Sequence, residues 1–290
     1  MLSVQESFSR FTPLGIRFWD PVSDCQIIDG LRVTARAVIG SRKKVSSVKT
    51  RGNIYTLSNL PGLHQVETGA IPLEEAMSLD DKRQYVIEIK DSLNRYLDVA
   101  FMTALPLPYR GLFLSDGGGS PAANPPKGFY LYSSVKRRLA GNYAQVRGEL
   151  RDQSTGEPAA HALVKVLTDS GETWFGLADA DGQFVLAFPF PDLSVGFGGS
   201  PATTHVPLHE QSWNVGLEVA YSPETLESLA ETDIPNYTSI LNQSTADIFP
   251  SDPEVSSSPV TQLSLLLEFN KTTVARTDGQ SYLLVSPSVS

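Results

Sequence analysis

The chain repeats one pattern of strands and turns, and that repeat limits the folds open to it. One copy begins at Ile16-Arg17-Phe18-Trp19-Asp20, turns through 21–24 and resumes at 31–37. The other begins at Val146-Arg147-Gly148-Glu149-Leu150, turns through 152–157 and resumes at 162–167. Each continues with a turn, a strand and a proline, from Arg51-Gly52-Asn53 to Pro61 and from Asp181-Gly182-Gln183 to Pro189, and each closes on an alternating strand, 85–91 or 213–221. In 85–91 the residues Tyr85, Ile87 and Ile89 share one face and Val86, Glu88 and Lys90 the other, the period of two of a half-buried strand. Segments 162–168, 183–188 and 263–269 alternate similarly. A strand with one apolar face is unstable alone, so such strands stack face to face with their apolar residues between the sheets. The sequence therefore predicts an all-β protein of two tandem β-sandwiches.

Glycine (22) and proline (20) are frequent among the 290 residues and charged residues make up only 19%, which favours turns and strands over amphipathic helices. Three Gly/Pro/Ser stretches read as linkers or long loops: 115–128, 196–211 and 250–259. They divide the chain into an N-terminal sandwich (1–114), a linker (115–128), a second sandwich (129–249), and a linker with a C-terminal β-hairpin (250–290). Asp181-Gly182 and Asp278-Gly279 are read as hairpin turns, since the favoured two-residue turns need positive φ. Short helical turns are expected at 223–230, where Pro223 suits a first turn, and at 237–243 and 73–77.

The segment 148–191 carries a D-x-x-T-G-x-P turn, an A-x-V-x-V strand and A-D-G-x-F. It resembles the carboxypeptidase-regulatory-like, or transthyretin-like, β-sandwich. That resemblance implies an Ig-like fold used for display, spacing and adhesion, without catalysis or cofactor. The run Pro13 to Asp20, then Leu60-Pro61-Gly62-Leu63, Gly128-Phe129-Tyr130-Leu131 and Gln211-Ser212-Trp213, looks like uncharacterised structural proteins of phage-tail-like contractile injection systems. It implies a structural part of such a particle, at its cap or baseplate.

Net charge is −9, which argues against a basic nucleic-acid face or a polybasic membrane anchor. One cysteine, Cys25, cannot make an intramolecular disulfide. Residues 1–11 lack the basic and apolar regions of a secretory signal, so cytoplasmic synthesis is expected, followed by incorporation into a large particle that is released or membrane-anchored.

The catalytic and metal motifs each have an ordinary reading. His205, His209 and Glu210 have zinc-like spacing, but Pro207 breaks the helix that would bring the imidazoles together. His64 and His161 have no second ligand nearby in sequence. Asp179-Ala180-Asp181-Gly182 puts its glycine too early for a calcium loop. Ser46/Lys49 and Ser133/Lys136 fit S-x-x-K but begin no helix. Gly117–Gly119 and Gly196–Gly199 lead into Ser-Pro rather than the Gly-Lys of a phosphate loop. Glu74-Glu75 and Asp80-Asp81 read as solvated surface. No catalytic residue, cofactor or metal is expected. A hydrolase would need a histidine to meet Cys25 or a serine in space.

Against the acidic background, 32–51 holds seven basic residues and no acid: Arg32, Arg36, Arg42, Lys43, Lys44, Lys49 and Arg51. Such asymmetry suits docking between unlike faces or head-to-tail assembly, while a solvated hairpin tip is the plain alternative. No aromatic residue lies between Arg32 and Arg51 to stack on bases. The expected partners are thus other subunits of a large homo- or hetero-oligomeric assembly, with no nucleic acid and no direct membrane insertion. The rival reading is a carbohydrate- or cell-surface-binding adhesion module, with Trp19, Trp174, Tyr130 and Tyr132 stacking on sugars.

Overall fold

The computed structural model describes residues 12–41, 43–71, 75, 83–106, 127–139, 141–191, 211–251 and 258–288. The chain divides into two compact units. Unit 1 comprises 1–93, 98–131 and 227–238, and unit 2 comprises 94–97, 132–226 and 239–290.

Unit 1 holds β1 (Leu14–Ile16), β2 (Phe18–Asp20), β3 (Cys25–Gln26), β4 (Leu31–Ala37), β5 (Val45–Ser46), β6 (Val48–Lys49), β7 (Tyr55–Leu57), β8 (Arg83–Asp91), β9 (Val99–Leu105) and β10 (Phe129–Tyr130). One sheet runs β5-β4-β8-β9, and two smaller ones run β1-β7-β6 and β10-β2-β3. Aromatic edges join them: Phe18 meets Tyr55 at 5.4 Å and Phe129 at 5.8 Å, and Phe129 stacks on Phe101 at 5.2 Å. Tyr85, Ile87 and Ile89 of β8 are fully buried, as their alternation predicts. Each such side chain contributes ~1.5–3 kcal/mol of apolar burial.

Unit 2 holds β11 (Tyr143–Asp152), β12 (Leu163–Thr168), β13 (Thr173–Leu177), β14 (Gln183–Pro189), β15 (Ser212–Ala220), β16 (Ala246–Phe249), β17 (Leu263–Glu268), β18 (Thr272–Ala275) and β19 (Leu283–Pro287). One sheet runs β13-β12-β15-β17. The other has β14 on one side of β11 and both β18 and β19 on its other side, with β16 beyond β19. Val164, Val166, Val215, Leu217 and Val219 of the first sheet share one core with Val146, Leu150, Phe184, Leu186 and Phe188 of the second. This is a sandwich.

The two units repeat one pairing scheme. The opening strand pairs antiparallel with the third (β1 with β7, β11 with β14), and the second with the closing strand (β4 with β8, β12 with β15). A short strand flanks the second (β5, β13), and a later strand flanks the closing one (β9, β17). The strand that follows returns in parallel: β18 along β11, and β10 along β2, which continues the opening segment after β1 with only Arg17 between them. The sequence pseudo-repeat is therefore also a repeat of topology.

Two turn readings are corrected. Asp181-Gly182 does form a turn, with Gly182 at φ +74°, but it carries the chain from β13 in one sheet to β14 in the other. A Cβ there would lie 2.4 Å from the Leu150 carbonyl oxygen, so close packing as well as φ requires glycine. Asp278-Gly279 does not make a C-terminal hairpin. β18 and β19 lie in line, both parallel to β11, at Gln145–Gly148 and Leu150–Asp152. The loop between them is pinned by buried Thr277, whose hydroxyl donates to the Phe249 carbonyl at 2.7 Å and accepts from the Leu284 amide at 2.9 Å. Residues 258–288 thus belong to the second sandwich rather than extending it.

The D-x-x-T-G turn is held by Asp152. Its Oδ1 accepts from the Ser154 amide (2.8 Å), the Ser154 hydroxyl (2.6 Å) and the Thr155 amide (3.1 Å). Burial alone would raise the Asp152 carboxyl, but these bonds and one from Tyr221 outweigh it and hold it below its ordinary value. Burial and the adjacent Asp152 push the Tyr221 phenol up to about 12.

Helices are short: α1 (His64–Glu67), α2 (Tyr237–Leu241) and a 3₁₀ turn at Pro223–Thr225. The sequence shows the last two and misses α1. The turn expected at 73–77 lies outside the described residues except for Glu75, and the linker stretches lie largely outside them.

A candidate interaction groove

Between β5 and β6 the chain changes sheets at Ser47. β5 pairs with β4, the Ser47 amide donates to the Val33 carbonyl at 2.9 Å, and β6 pairs with β7. The crossing opens a groove of about 560 Å³ over buried Val33 and Tyr55, walled by 29–32, Ser46, Ser47, Lys49 and Ser92. The Ser92 hydroxyl and amide both donate to the Gly30 carbonyl, at 2.8 and 2.9 Å, which fixes one wall. The Lys49 ammonium donates to the Ile28 carbonyl at 2.6 Å and is held at the rim.

The seven basic residues do not share one face. Arg32 and Lys49 are exposed and line the groove. Lys43 and Arg51 are exposed beside it in sequence, and Arg42 lies outside the described residues. Lys44 pairs with Glu88 at 3.1 Å, and Glu88 also takes Lys90 at 2.9 Å. Partial burial raises the Glu88 carboxyl, but hydrogen bonds from Lys90 and Lys44 outweigh it and leave it lowered. Arg36 is buried, only 6% exposed, with its Nη1 3.8 Å from Glu231 and its Nη2 without a hydrogen bond among the described residues.

What covers Arg36 is a strap from far along the chain. Leu229 packs with Val86 and Ala100, and Ile234 lies against them. Asn236 bridges Ala100 in parallel and accepts from the Met102 amide at 3.4 Å, while its own amide group donates to Glu227 at 2.7 Å. Residues 227–238 thereby complete unit 1. The outward face of a strand next to an exposed one gives no local sign of such a cover, so sequence reasoning placed Arg36 on the surface.

The remaining candidates stay apart. His205, His209, Glu74, Asp80, Asp81 and both glycine clusters lie outside the described residues, and among the described residues no three His, Cys, Asp or Glu side chains gather to hold a metal. Cys25 is exposed, with its sulfur 3.0 Å from the Ser23 hydroxyl. His161 is half-buried, and desolvation lowers its pKa despite Asp179. Asp179 Oδ1 accepts from the Asp181 and Gln183 amides at 3.0 and 2.9 Å, which is the work of a turn rather than a calcium ligand. Ser133 accepts from Arg137 at 2.9 Å, whereas Ser46 and Lys49 both reach the groove from strands. Of the aromatics, Trp19 donates to Asp24 at 3.0 Å beneath Lys127, Trp174 stacks on Phe188, and Tyr132 is buried. Sequence reasoning missed the half-buried trio Phe190, Trp213 and Phe269, with centroids 5.2 and 5.0 Å from Phe190.

No family model matches the chain, and no curated protein is similar to it. Crystal structures of the shaft pilin SpaA from Lactobacillus rhamnosus GG are similar at 10% identity over 98% of this chain and 99% of that one. A mutant form of the same pilin aligns at 11% over 95% and 98%. The TM-score is 0.24 in both, so the fold rests on the strand pairing above. Among the described residues no helix is long and apolar enough to cross a membrane.

Proposed function

We propose that this chain is a non-catalytic structural subunit of a phage-tail-like contractile particle, at its cap or baseplate, acting through protein–protein contacts. One observation supports this above the rest: a single sandwich topology is used twice, and in its first copy the exposed Arg32 and Lys49 line an open groove instead of a closed, desolvated pocket. A duplicated scaffold presents two similar bodies to neighbours, and charged rims suit partner choice and orientation. The test is to purify contractile particles from a producing strain carrying a tagged copy and image gold-labelled tags by electron microscopy. Label at one end of the particles is expected. Intact particles with no label, and no peptides of this chain by mass spectrometry, would refute it.

A second reading has an observation of its own. The trio Phe190, Trp213 and Phe269 is half-buried, the exposure an aromatic platform for a sugar face needs. A glycan array with purified protein, compared with Trp213→Ala, separates an adhesion module from an assembly subunit.

A further inference from the structure

The groove of unit 1 has a counterpart elsewhere in the same chain. The turn joining β12 and β13 carries Asp169 and Glu172, both exposed, and neither forms an ion pair among the described residues. The turn is rigid. The Thr168 amide donates to the Glu172 carbonyl at 3.0 Å, the Gly171 amide to the Thr168 carbonyl at 2.9 Å, and the Thr168 hydroxyl meets that of Ser170 at 2.8 Å. The cation nearest in sequence, Lys165, is already committed to Glu218 at 2.9 Å. Some of the other carboxylates are paired: Glu88 with Lys44 and Lys90, Glu149 with Arg151, and Glu268 with Lys271.

We propose that the unit 1 groove, with Arg32 and Lys49, receives the 168–172 turn of a second copy of this chain. This rests on the assembly reading above and names its first partner. At a net charge of −9, random encounters between copies are repelled, so an attractive contact needs a local basic patch. Seven of the 23 Lys and Arg residues fall within 32–51, and two of them line the groove. A pre-ordered turn enters it without the entropy loss of ordering a loop. Because groove and turn are different surfaces, the contact is head-to-tail and can propagate from copy to copy into a ring or an open chain.

Sedimentation velocity of the full chain across a concentration series tests this, with thermal melting of each variant as a control for folding. Wild type should show species heavier than a dimer in 50 mM NaCl and lose them in 0.5 M NaCl, where charges are screened within a few ångströms. Arg32→Glu/Lys49→Glu and Asp169→Lys/Glu172→Lys should each weaken association at least about tenfold, and mixing the two variants should restore it. A monomer at every wild-type concentration would overturn the inference. So would association that ignores both double variants, or loss in the groove variant alone, which would assign the groove to another acidic segment. Gold label on particles together with any of these outcomes would leave the structural role intact and remove only this contact.

Discussion

Replacing Asp152 with alanine perturbs unit 2 at one point whose bonds are all known. The carboxylate holds the Ser154 amide and hydroxyl and the Thr155 amide at 2.6–3.1 Å, and it takes the Tyr221 hydroxyl as well. The turn amides are exposed and can turn to water, so losing them resembles losing a helix cap, ~0.5–2 kcal/mol. Tyr221 is only 5% exposed, and stranding its hydroxyl adds ~1–3 kcal/mol. Asp152→Ala should therefore cost about 2–4 kcal/mol, and Asp152→Asn, which keeps an acceptor but no charge, about 1 kcal/mol. The assay is urea unfolding followed by Trp174 and Trp213 emission, with Trp19→Phe silencing the remaining tryptophan. Because the folded carboxyl lies below its ordinary value of 3.8, its stabilisation is complete above that value and is lost as pH falls through the lower folded value. The gap between wild type and Asp152→Asn should close over the same window. An alanine cost under about 0.5 kcal/mol, or an asparagine cost equal to it, would refute the capping argument.

Three further outcomes are expected. Gly182→Ala should cost about 2–4 kcal/mol in the same assay, since its Cβ would meet the Leu150 carbonyl at 2.4 Å and φ is +74°. Leu229→Asp should detach the strap, seen as faster proteolysis within 227–238 and faster amide exchange at Ala100 and Met102, with unit 2 unchanged. At alkaline pH, stability should decline between the ordinary tyrosine value of 10.0 and about 12, because the folded Tyr221 phenol is raised and its contribution disappears as it ionises; Tyr221→Phe should remove that part of the decline.

How much of this was legible depends on how local each signal is. The alternation in 162–168 reports burial directly, and that in 85–91 reports the face of Tyr85, Ile87 and Ile89, but Val86 on its other face is buried as well, under residues 227–238. The D-x-x-T-G turn is legible because its bonds span three residues. An Asp-Gly pair reports only that the backbone takes positive φ, not which strands it joins, and so both Asp-Gly turns were read as hairpins. Parallel ladders such as β11 with β18 join residues more than 120 apart and leave no local pattern, as does the strap over Arg36. The groove arises where β5 and β6 part between two sheets, a crossing that no run of residues encodes. Its Arg32 and Lys49 were singled out by charge alone, while Asp29, Ser46, Ser47, Tyr55 and Ser92 carry no distinguishing signal.

The repeated pairing scheme is tested most directly by long-range amide–amide NOEs from the deuterated full-length chain. Cross-peaks should join 18–19 with 129–130 and, in the same sense, 145–148 with 272–275. Cross-peaks instead joining 272–275 with 283–287 in antiparallel register would mean a terminal hairpin, and the two units would not share one topology.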